Sequence, residues 1–158
     1  MLDFQHIIQV NDLEDKSLFV LTRPQLWQGL VLRARNPEKF SDALQCHSSN
    51  TEENQFVRRI SAGDTTFQEL VVMTPELKIK TSTVPKIGQI FAESASLIEE
   101  PEPNSLFVRF SYRRDLNSGE NDIQIAEYLK SAYVQIDRDA IAMIRMLAMS
   151  ESLNSTVN

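Results

Sequence analysis

The stretch Asn121–Ser150, which reads NDIQIAEYLKSAYVQIDRDAIAMIRMLAMS, decides the fold of this chain. Its apolar residues recur at intervals of three and four, and no proline or glycine interrupts them, which predicts one long helix. Asn121 is a suitable N-cap, and at about 1.5 Å per residue the helix spans about 45 Å. The residues predicted to face the interior are Ile125, Tyr128, Leu129, Ala132, Ile136, Ala140, Met143, Ile144 and Leu147.

The chain before this helix has a period of two along most of its length, which predicts about seven strands. They are Phe4–Val10, a weakly marked Ala43–Ser48, Gln55–Ala62, Thr65–Thr74, Leu77–Thr83, Gln89–Glu99 and Ser105–Arg114. Short connections, as at Ala62-Gly63-Asp64, predict that neighbouring strands are antiparallel. After the first strand, Thr22-Arg23-Pro24 predicts the start of a short helix, and Asn36-Pro37 predicts a second helix of one turn.

The widths of these elements predict how they pack. Seven strands about 4.8 Å apart make a sheet roughly 30 Å wide, whereas a helix with its side chains is about 10–12 Å across. One helix cannot cover a flat sheet of that width, so we expect an α+β fold whose sheet curls around the C-terminal helix. The curl encloses a volume that either a ligand or large side chains can fill.

Side-chain parity predicts which residues line that volume. Phe110 and Tyr112 share one face of their strand, while Phe67 and Glu69 share a face with Val71 on another. Arg58 shares a face of its strand with Phe56 and Ile60, so if both apolar sets face inward, Arg58 and Glu69 are carried inside with them. Because an unpaired buried charge is costly, we expect each of them to have a partner, and each is a candidate partner for the other, either in a structural bridge or to orient a polar ligand group. The candidate ligand-binding residues are His6, Trp27, Arg58, Phe67, Glu69, Phe110, Tyr112, Tyr128, Ala132, Ile136 and Met143.

Composition limits the classes of function. The 158 residues predict a single domain over residues 1–150 followed by a flexible polar tail at 151–158. The net charge of −6 argues against a nucleic-acid partner, which would require a surplus of cations. No apolar run is long enough for an integral membrane segment, and the N-terminus lacks a signal peptide, so we expect a cytoplasmic protein. The basic residues Arg23, Arg33, Arg35 and Lys39 are expected on a solvated helix face.

Few residues carry recognisable chemistry. His6 and His47 lack metal-ligand spacing, and adjacent Cys46 and His47 point to opposite faces of a strand, so we expect no metal and no cofactor. An enzyme on this scaffold would rely on pocket shape and on a few polar groups. The candidates for acid–base work are His6, Arg58, Glu69 and Tyr112, and the sequence assigns none of them a catalytic role.

Three segments carry a resemblance to a known family. They are FQHIIQVND at Phe4–Asp12, LTRPQLWQGL at Leu21–Leu30 and EYLKSAY at Glu127–Tyr133. Together they resemble the AtaL-like family of small START-type proteins within the SRPBCC superfamily. The resemblance implies a helix-grip fold with a hydrophobic cavity between sheet and C-terminal helix, and it implies no catalytic residues.

Three hypotheses about function remain open at this point. The first is binding of an apolar or amphipathic small molecule, such as a lipid or polyketide, in the internal volume. The second is a cyclase-, aromatase- or dehydratase-like enzyme that uses the same volume. The third is an interaction module whose volume is filled by its own aromatic residues, namely Trp27, Phe56, Phe67, Phe91 and Phe110. The sequence selects neither a monomer nor a dimer.

Overall fold

The part of the chain that the structure describes folds into seven strands and two α-helices, in the order that the sequence predicts. A computed structural model describes residues 1–49, 52–85, 89–116 and 122–157. The elements are β1 (Leu2–Gln9), α1 (Arg23–Arg35), β2 (Leu44–Ser49), β3 (Gln55–Ala62), β4 (Thr65–Thr74), β5 (Lys78–Thr83), β6 (Ala92–Glu102), β7 (Ser105–Arg114) and α2 (Asp122–Val157). A single 3₁₀ turn at Pro37–Lys39 takes the place of the predicted second helix.

The strands form one antiparallel sheet in the order β1-β7-β6-β5-β4-β3-β2. The sheet curves around α2 in the expected helix-grip arrangement. The bounds predicted for β3, β4 and β7 are the observed ones. Gly63, with a φ of 60°, lies in the two-residue turn between β3 and β4, where a positive φ favours glycine.

Several predicted boundaries differ from the observed ones. β1 begins two residues earlier than predicted, and β6 is shifted toward Glu102, with an irregular register between Glu99 and Glu102. α2 continues to Val157 rather than ending near Ser150. Whether residues 151–158 form a flexible tail stays a prediction, and the proposed cap Asn121 lies outside the described residues.

The start of α1 is set by local hydrogen bonds. The Gln25 backbone N–H donates to the Thr22 hydroxyl at 3.2 Å, and the Gln25 side-chain oxygen accepts from the Thr22 N–H at 2.9 Å. This capping box satisfies two backbone donors, and Pro24 occupies the first turn, where its missing N–H costs nothing. The helix start predicted at Thr22-Arg23-Pro24 is confirmed.

α2 turns a different face to the core from the one predicted. The buried residues on α2 are Asp137, Ala140, Ile141, Ile144 and Ala148. The prediction was right for Ala140 and Ile144, but wrong for Tyr128, which is 73% exposed, and Ile136, which is 53% exposed. Ile125, Met143 and Leu147 are also exposed. Apolar residues occur on more than one face of the helix, so periodicity alone does not identify the buried face. The face that is buried includes Asp137, and a charged residue is not expected in a core.

The main core lies between the sheet and the two helices. It includes Leu26 and Leu30 from α1, Ile144 from α2, and Val108 and Phe110 from β7. α1 and α2 approach closely at Gly29, where an added Cβ would lie 2.7 Å from Cγ1 of Ile144. Within the described residues, neither helix has the length and apolar character needed to cross a membrane.

Candidate functional site

A pocket of about 230 Å³ lies between α1, the inner face of the sheet and α2. Its apolar walls include Leu30, Phe40, Ile60, Ile79, Ile136 and Ala140. Its polar lining includes Arg33, Arg58, Thr81, Ser94, Ser96 and Tyr112. The walls therefore combine a mainly aliphatic surface with a few hydrogen-bonding groups.

A second pocket of about 160 Å³ adjoins the first. The two pockets share Thr81, Ser94 and Tyr112, so these side chains form the boundary between them. Glu69 and Tyr133 line the second pocket and not the first. The two pockets are therefore neighbours in the interior, on either side of these shared side chains.

Asp137 lies fully buried beside these pockets, at the meeting point of four elements. The Tyr112 hydroxyl from β7 donates to Asp137 Oδ2 at 2.6 Å, and Nε2 of His6 from β1 lies 2.7 Å from the same oxygen. Arg33 from α1 donates to Oδ1 at 2.9 Å. A buried carboxylate is stable only with such partners, and here both of its oxygens have them.

Tyr112 connects the Asp137 cluster to the pockets. Burial raises the pKa of the Tyr112 hydroxyl, and the neighbouring Asp137 carboxylate raises this pKa further. The hydroxyl therefore stays protonated and acts as a hydrogen-bond donor. Its ring stacks on Tyr133 from α2 with centroids 3.9 Å apart, which holds the hydroxyl in place.

His6 is held by aromatic neighbours on the same face of the sheet. Its ring lies 5.4 Å from the Phe110 ring and 5.6 Å from the Phe4 ring, in stacked orientations. His6 and Phe110 are also paired across β1 and β7. This packing orients Nε2 toward Asp137 and away from the pocket lining.

Arg58 and Glu69, which the sequence makes candidate partners, form a pair. They face each other across β3 and β4, and Arg58 Nε donates to Glu69 Oε1 at 3.0 Å. Arg58 also donates through Nη1 to the backbone oxygen of Ala34 in α1 at 2.7 Å. This second bond ties the sheet to α1 and directs the guanidinium along the wall of the larger pocket.

The structure brings some of the predicted ligand-binding residues together and leaves others apart. Arg58, Tyr112 and Ile136 line the larger pocket, Glu69 lines the smaller one, and His6 and Phe110 lie behind Tyr112. The predicted residues that line neither of these two pockets are His6, Trp27, Phe67, Phe110, Tyr128, Ala132 and Met143. Phe67 and Met143 are partly solvent-exposed, while Trp27 packs on the core. Roles in ligand binding stay predictions for all of them.

Sequence reasoning missed Arg33 and Asp137. The expectation of a solvated basic face is wrong for Arg33, and also for Arg35, whose guanidinium lies 4.6 Å from the Phe56 ring centroid. Arg23 forms an ion pair with Glu100 at 3.1 Å. One feature of the sequence could have identified Asp137. It lies four residues before Ile141, on a helix face whose other residues are apolar.

Comparison with known proteins supports this fold. The family described as AtaL, Acetylaranotin biosynthesis cluster protein L, matches residues 8–151. The curated proteins contain no match to this chain.

Solved structures of the same fold are similar over nearly the whole chain. The di-domain ARO/CYC StfQ from the steffimycin biosynthetic pathway has a TM-score of 0.69 and 12% identity, covering 96% of this chain and 51% of that one. A START superfamily protein from Mycobacterium smegmatis has a TM-score of 0.68 and 9% identity, covering 93% and 99%. The Zhui aromatase/cyclase from Streptomyces sp. R1128 has a TM-score of 0.62 and 8% identity, covering 93% of each chain.

The coverage and identity values limit what these structures show. This chain spans about half the length of the di-domain ARO/CYC proteins. At such low identity the similarity shows a shared fold and no more. The family match, by contrast, extends over most of the sequence. With that match and the helix-grip fold, the chain belongs to the AtaL family of START-type, SRPBCC-like proteins.

Proposed function

We propose that this protein binds an apolar or amphipathic small molecule, such as a lipid or a polyketide, between the sheet and α2. The observation that carries this proposal is the pair of adjoining pockets, of about 230 and 160 Å³, with Tyr112 at their boundary. Small-molecule sites typically measure about 300–1,000 Å³, and the two pockets together reach that range.

The composition of the walls supports the same proposal. Binding sites for small molecules are mostly apolar, with a small number of fixed polar groups that orient the ligand. Ile60, Ile79 and Ile136 supply apolar surface, whereas Arg58 is fixed by Glu69 and by the Ala34 carbonyl. A polar group held this way loses little conformational entropy when a ligand binds.

The aromatic residues that were candidates for filling the volume also bear on the proposal. Phe56 and Phe110 are fully buried in the core, but Phe67 and Phe91 are partly exposed to solvent. Phe56, Phe110 and Trp27 belong to neither described pocket lining. This arrangement favours ligand binding over an interaction module with a filled interior.

Titration with the neutral fluorescent probe N-phenyl-1-naphthylamine tests the proposal. Ser41 is exposed and lines the larger pocket, so Ser41→Trp should obstruct it and weaken probe binding at least tenfold. Asp42→Trp places the same side chain one residue further on, at an exposed position outside the lining, and should leave binding unchanged. Absence of probe binding, or equal binding by both variants, would contradict the proposal.

A ligand retained by the natural protein would identify its chemical class. Native mass spectrometry of protein purified from its own host should reveal an added mass that denaturation removes. The Ser41→Trp variant, purified in the same way, should carry less of that mass than Asp42→Trp does.

A second candidate function is cyclase- or dehydratase-like catalysis in the same pockets. The observation that favours it is the Tyr112 hydroxyl, which stays protonated and is hydrogen-bonded to the buried Asp137 carboxylate. As a general acid, Tyr112 would turn its single O–H from Asp137 toward a hydroxyl oxygen of the bound substrate and protonate that oxygen as it leaves as water, while the proton on the neighbouring carbon passes to solvent. Two of the solved structures with this fold are aromatase/cyclases, which agrees with such chemistry.

This second candidate has its own test. The protein is incubated with a synthetic poly-β-keto thioester, and mass spectrometry follows the loss of one water per ring closed. Tyr112→Phe should abolish this loss while retaining affinity for the neutral probe within threefold. Equal turnover by Tyr112→Phe and the unmodified protein would exclude Tyr112 as the acid.

A further inference from the structure

The charged residues in the described lining of the larger pocket are both cationic. They are Arg33, whose side chain is 22% exposed, and Arg58, whose side chain is 13% exposed. Their carboxylate partners, Asp137 and Glu69, do not belong to that lining. The protein as a whole carries a net charge of −6, whereas the charged side chains that face this pocket are cationic and their ion-pair partners lie outside its lining.

Both guanidinium groups retain hydrogen-bonding capacity. Among the described residues, Arg33 is hydrogen-bonded through Nη2 to Asp137, and Arg58 through Nε to Glu69 and through Nη1 to Ala34. A guanidinium has about five N–H donors, so these bonds leave donors for a ligand on each. Arg33 and Arg58 come from α1 and β3, which form different walls of the pocket.

The neutral polar lining complements these cations. Thr81, Ser94 and Ser96 can each donate a hydrogen bond, and none of them carries a negative charge. The single O–H of Tyr112 is donated to Asp137, so Tyr112 is not one of these donors. An anionic oxygen here would therefore meet donors and positive charge in a partly dehydrated site, where such interactions are strongest.

From this arrangement we propose that the ligand is an amphipathic anion, whose carboxylate or ionised enol oxygen binds Arg33 and Arg58. The apolar part of the ligand then lies against Leu30, Ile60, Ile79 and Ile136. This inference rests on the proposed binding function and narrows it to one class of ligand. A cationic amphiphile of the same shape should bind more weakly, because the described residues that line this pocket include no aspartate or glutamate.

Competition between two molecules of equal chain length tests the charge preference. Decanoate and decanol are titrated at pH 7.5 against bound N-phenyl-1-naphthylamine, below the micelle concentration. We expect decanoate to displace the probe at a concentration at least tenfold lower than decanol does. Equal displacement by both molecules would overturn the inference while leaving the proposed binding function in place.

Substitutions then assign the preference to the pocket arginines. Because Arg58→Met alone leaves Glu69 without its partner, the double variant Arg58→Met/Glu69→Met removes the whole ion pair. The preference is the ratio of the decanol concentration to the decanoate concentration needed to displace the probe, and we expect this ratio to fall at least fivefold in the double variant. Arg59→Met is the matched control, since Arg59 is exposed, adjacent on β3 and outside the described lining.

The neutral probe separates the possible outcomes. If the unmodified protein binds neither probe nor amphiphile, the proposed function itself fails. If the double variant binds the probe normally but keeps the full decanoate preference, the assignment to these arginines is wrong. If Arg59→Met lowers the preference as much as the double variant does, overall charge explains it, and the inference fails.

Discussion

At the scale of single residues, Asp137 is the side chain on which the site depends. Its carboxylate holds together Arg33, His6 and Tyr112, and it is fully buried. Asp137→Asn removes the negative charge and leaves Arg33 facing a neutral amide. Breaking a buried pair in this way typically costs about 3–5 kcal/mol, and we expect urea unfolding to show a loss of about 3 kcal/mol.

The control for this prediction lies two residues along the same helix. Asp139 is exposed and accepts a hydrogen bond from Gln135 at 2.9 Å. Asp139→Asn makes the same chemical change on the surface, and its effect should stay within about 0.5 kcal/mol. Similar losses for both substitutions would mean that the Asp137 cluster adds nothing specific to stability.

Tyr112 predicts how stability depends on pH in alkaline solution. Its pKa is raised in the folded protein above the ordinary value of 10.0, because of burial and the Asp137 carboxylate. Above about pH 10 the unfolded chain releases the proton while the folded protein retains it, so stability falls as pH rises. From Tyr112 alone, the free energy of unfolding falls by up to about 1.4 kcal/mol per pH unit. Below the pKa that Tyr112 has in the unfolded chain, this dependence is absent.

Urea unfolding at pH 9 and pH 11 measures this effect. The unmodified protein should lose about 1 kcal/mol more between these pH values than Tyr112→Phe does. Tyr128→Phe, at an exposed position on α2, should behave like the unmodified protein. If Tyr112→Phe loses as much stability as the other two proteins, the Tyr112 hydroxyl is not the group responsible.

At the scale of secondary-structure elements, the contact between α1 and α2 depends on Gly29. Alanine normally favours a helix over glycine by about 1 kcal/mol, which alone would make Gly29→Ala stabilising. Here the new Cβ would lie 2.7 Å from Cγ1 of Ile144, so the helices must separate. We therefore expect Gly29→Ala to destabilise the protein by about 1–3 kcal/mol in chemical denaturation.

A double-mutant cycle with Ile144→Ala tests the cause. Ile144→Ala alone should cost about 2–5 kcal/mol, because Ile144 is fully buried. The double variant should lose less than the sum of the two single variants by at least about 1 kcal/mol, since the smaller side chain makes room for the new Cβ. Strict additivity would show that the two side chains do not meet.

The rotation of α2 about its axis is also an element-scale result. Local periodicity identifies α2 as a helix, and it assigned Ala140 and Ile144 correctly to the core. It wrongly assigned Tyr128 and Met143 to the core, because the pattern treats an apolar residue as buried on whichever face of the helix it lies. The face that is actually buried contains Asp137, and only partners from α1, β1 and β7 make its burial favourable.

At the scale of the whole molecule, Arg145 connects α2 to the segment between β1 and α1. Its guanidinium donates hydrogen bonds to the backbone oxygens of Val10 and Phe19. Asn11, itself buried, completes the connection by donating to the Leu21 carbonyl at 2.9 Å and to the Asn104 carbonyl at 2.8 Å. The long helix, the first connector and a hairpin of the sheet are thereby joined at one end of the fold.

Arg145→Met should therefore loosen the whole fold rather than one loop. The substitution leaves two backbone carbonyls without their donor, and we expect a loss of about 2 kcal/mol, or about 5 °C in Tm. Arg138→Met, on an exposed part of the same helix, serves as the control and should shift Tm by about 1 °C or less. Differential scanning calorimetry that gave the two variants the same Tm would contradict this role for Arg145.

The sequence by itself determined the order of the elements, the antiparallel hairpins and the candidate pairing of Arg58 with Glu69. These features depend on local periodicity, on turn residues such as Gly63 and on strand parity, all of which act over a few residues. The pair forms across β3 and β4, which a two-residue turn connects, so parity alone was enough to make each residue a candidate partner for the other.

Only the tertiary structure decided which face of α2 is buried and where the Asp137 cluster lies. His6 and Arg33 are 131 and 104 residues from Asp137 in the chain, and no local pattern relates them. A carboxylate is stable in the interior only when other elements bring it donors and positive charge. That condition is a property of the packed molecule, and no single segment of the sequence contains it.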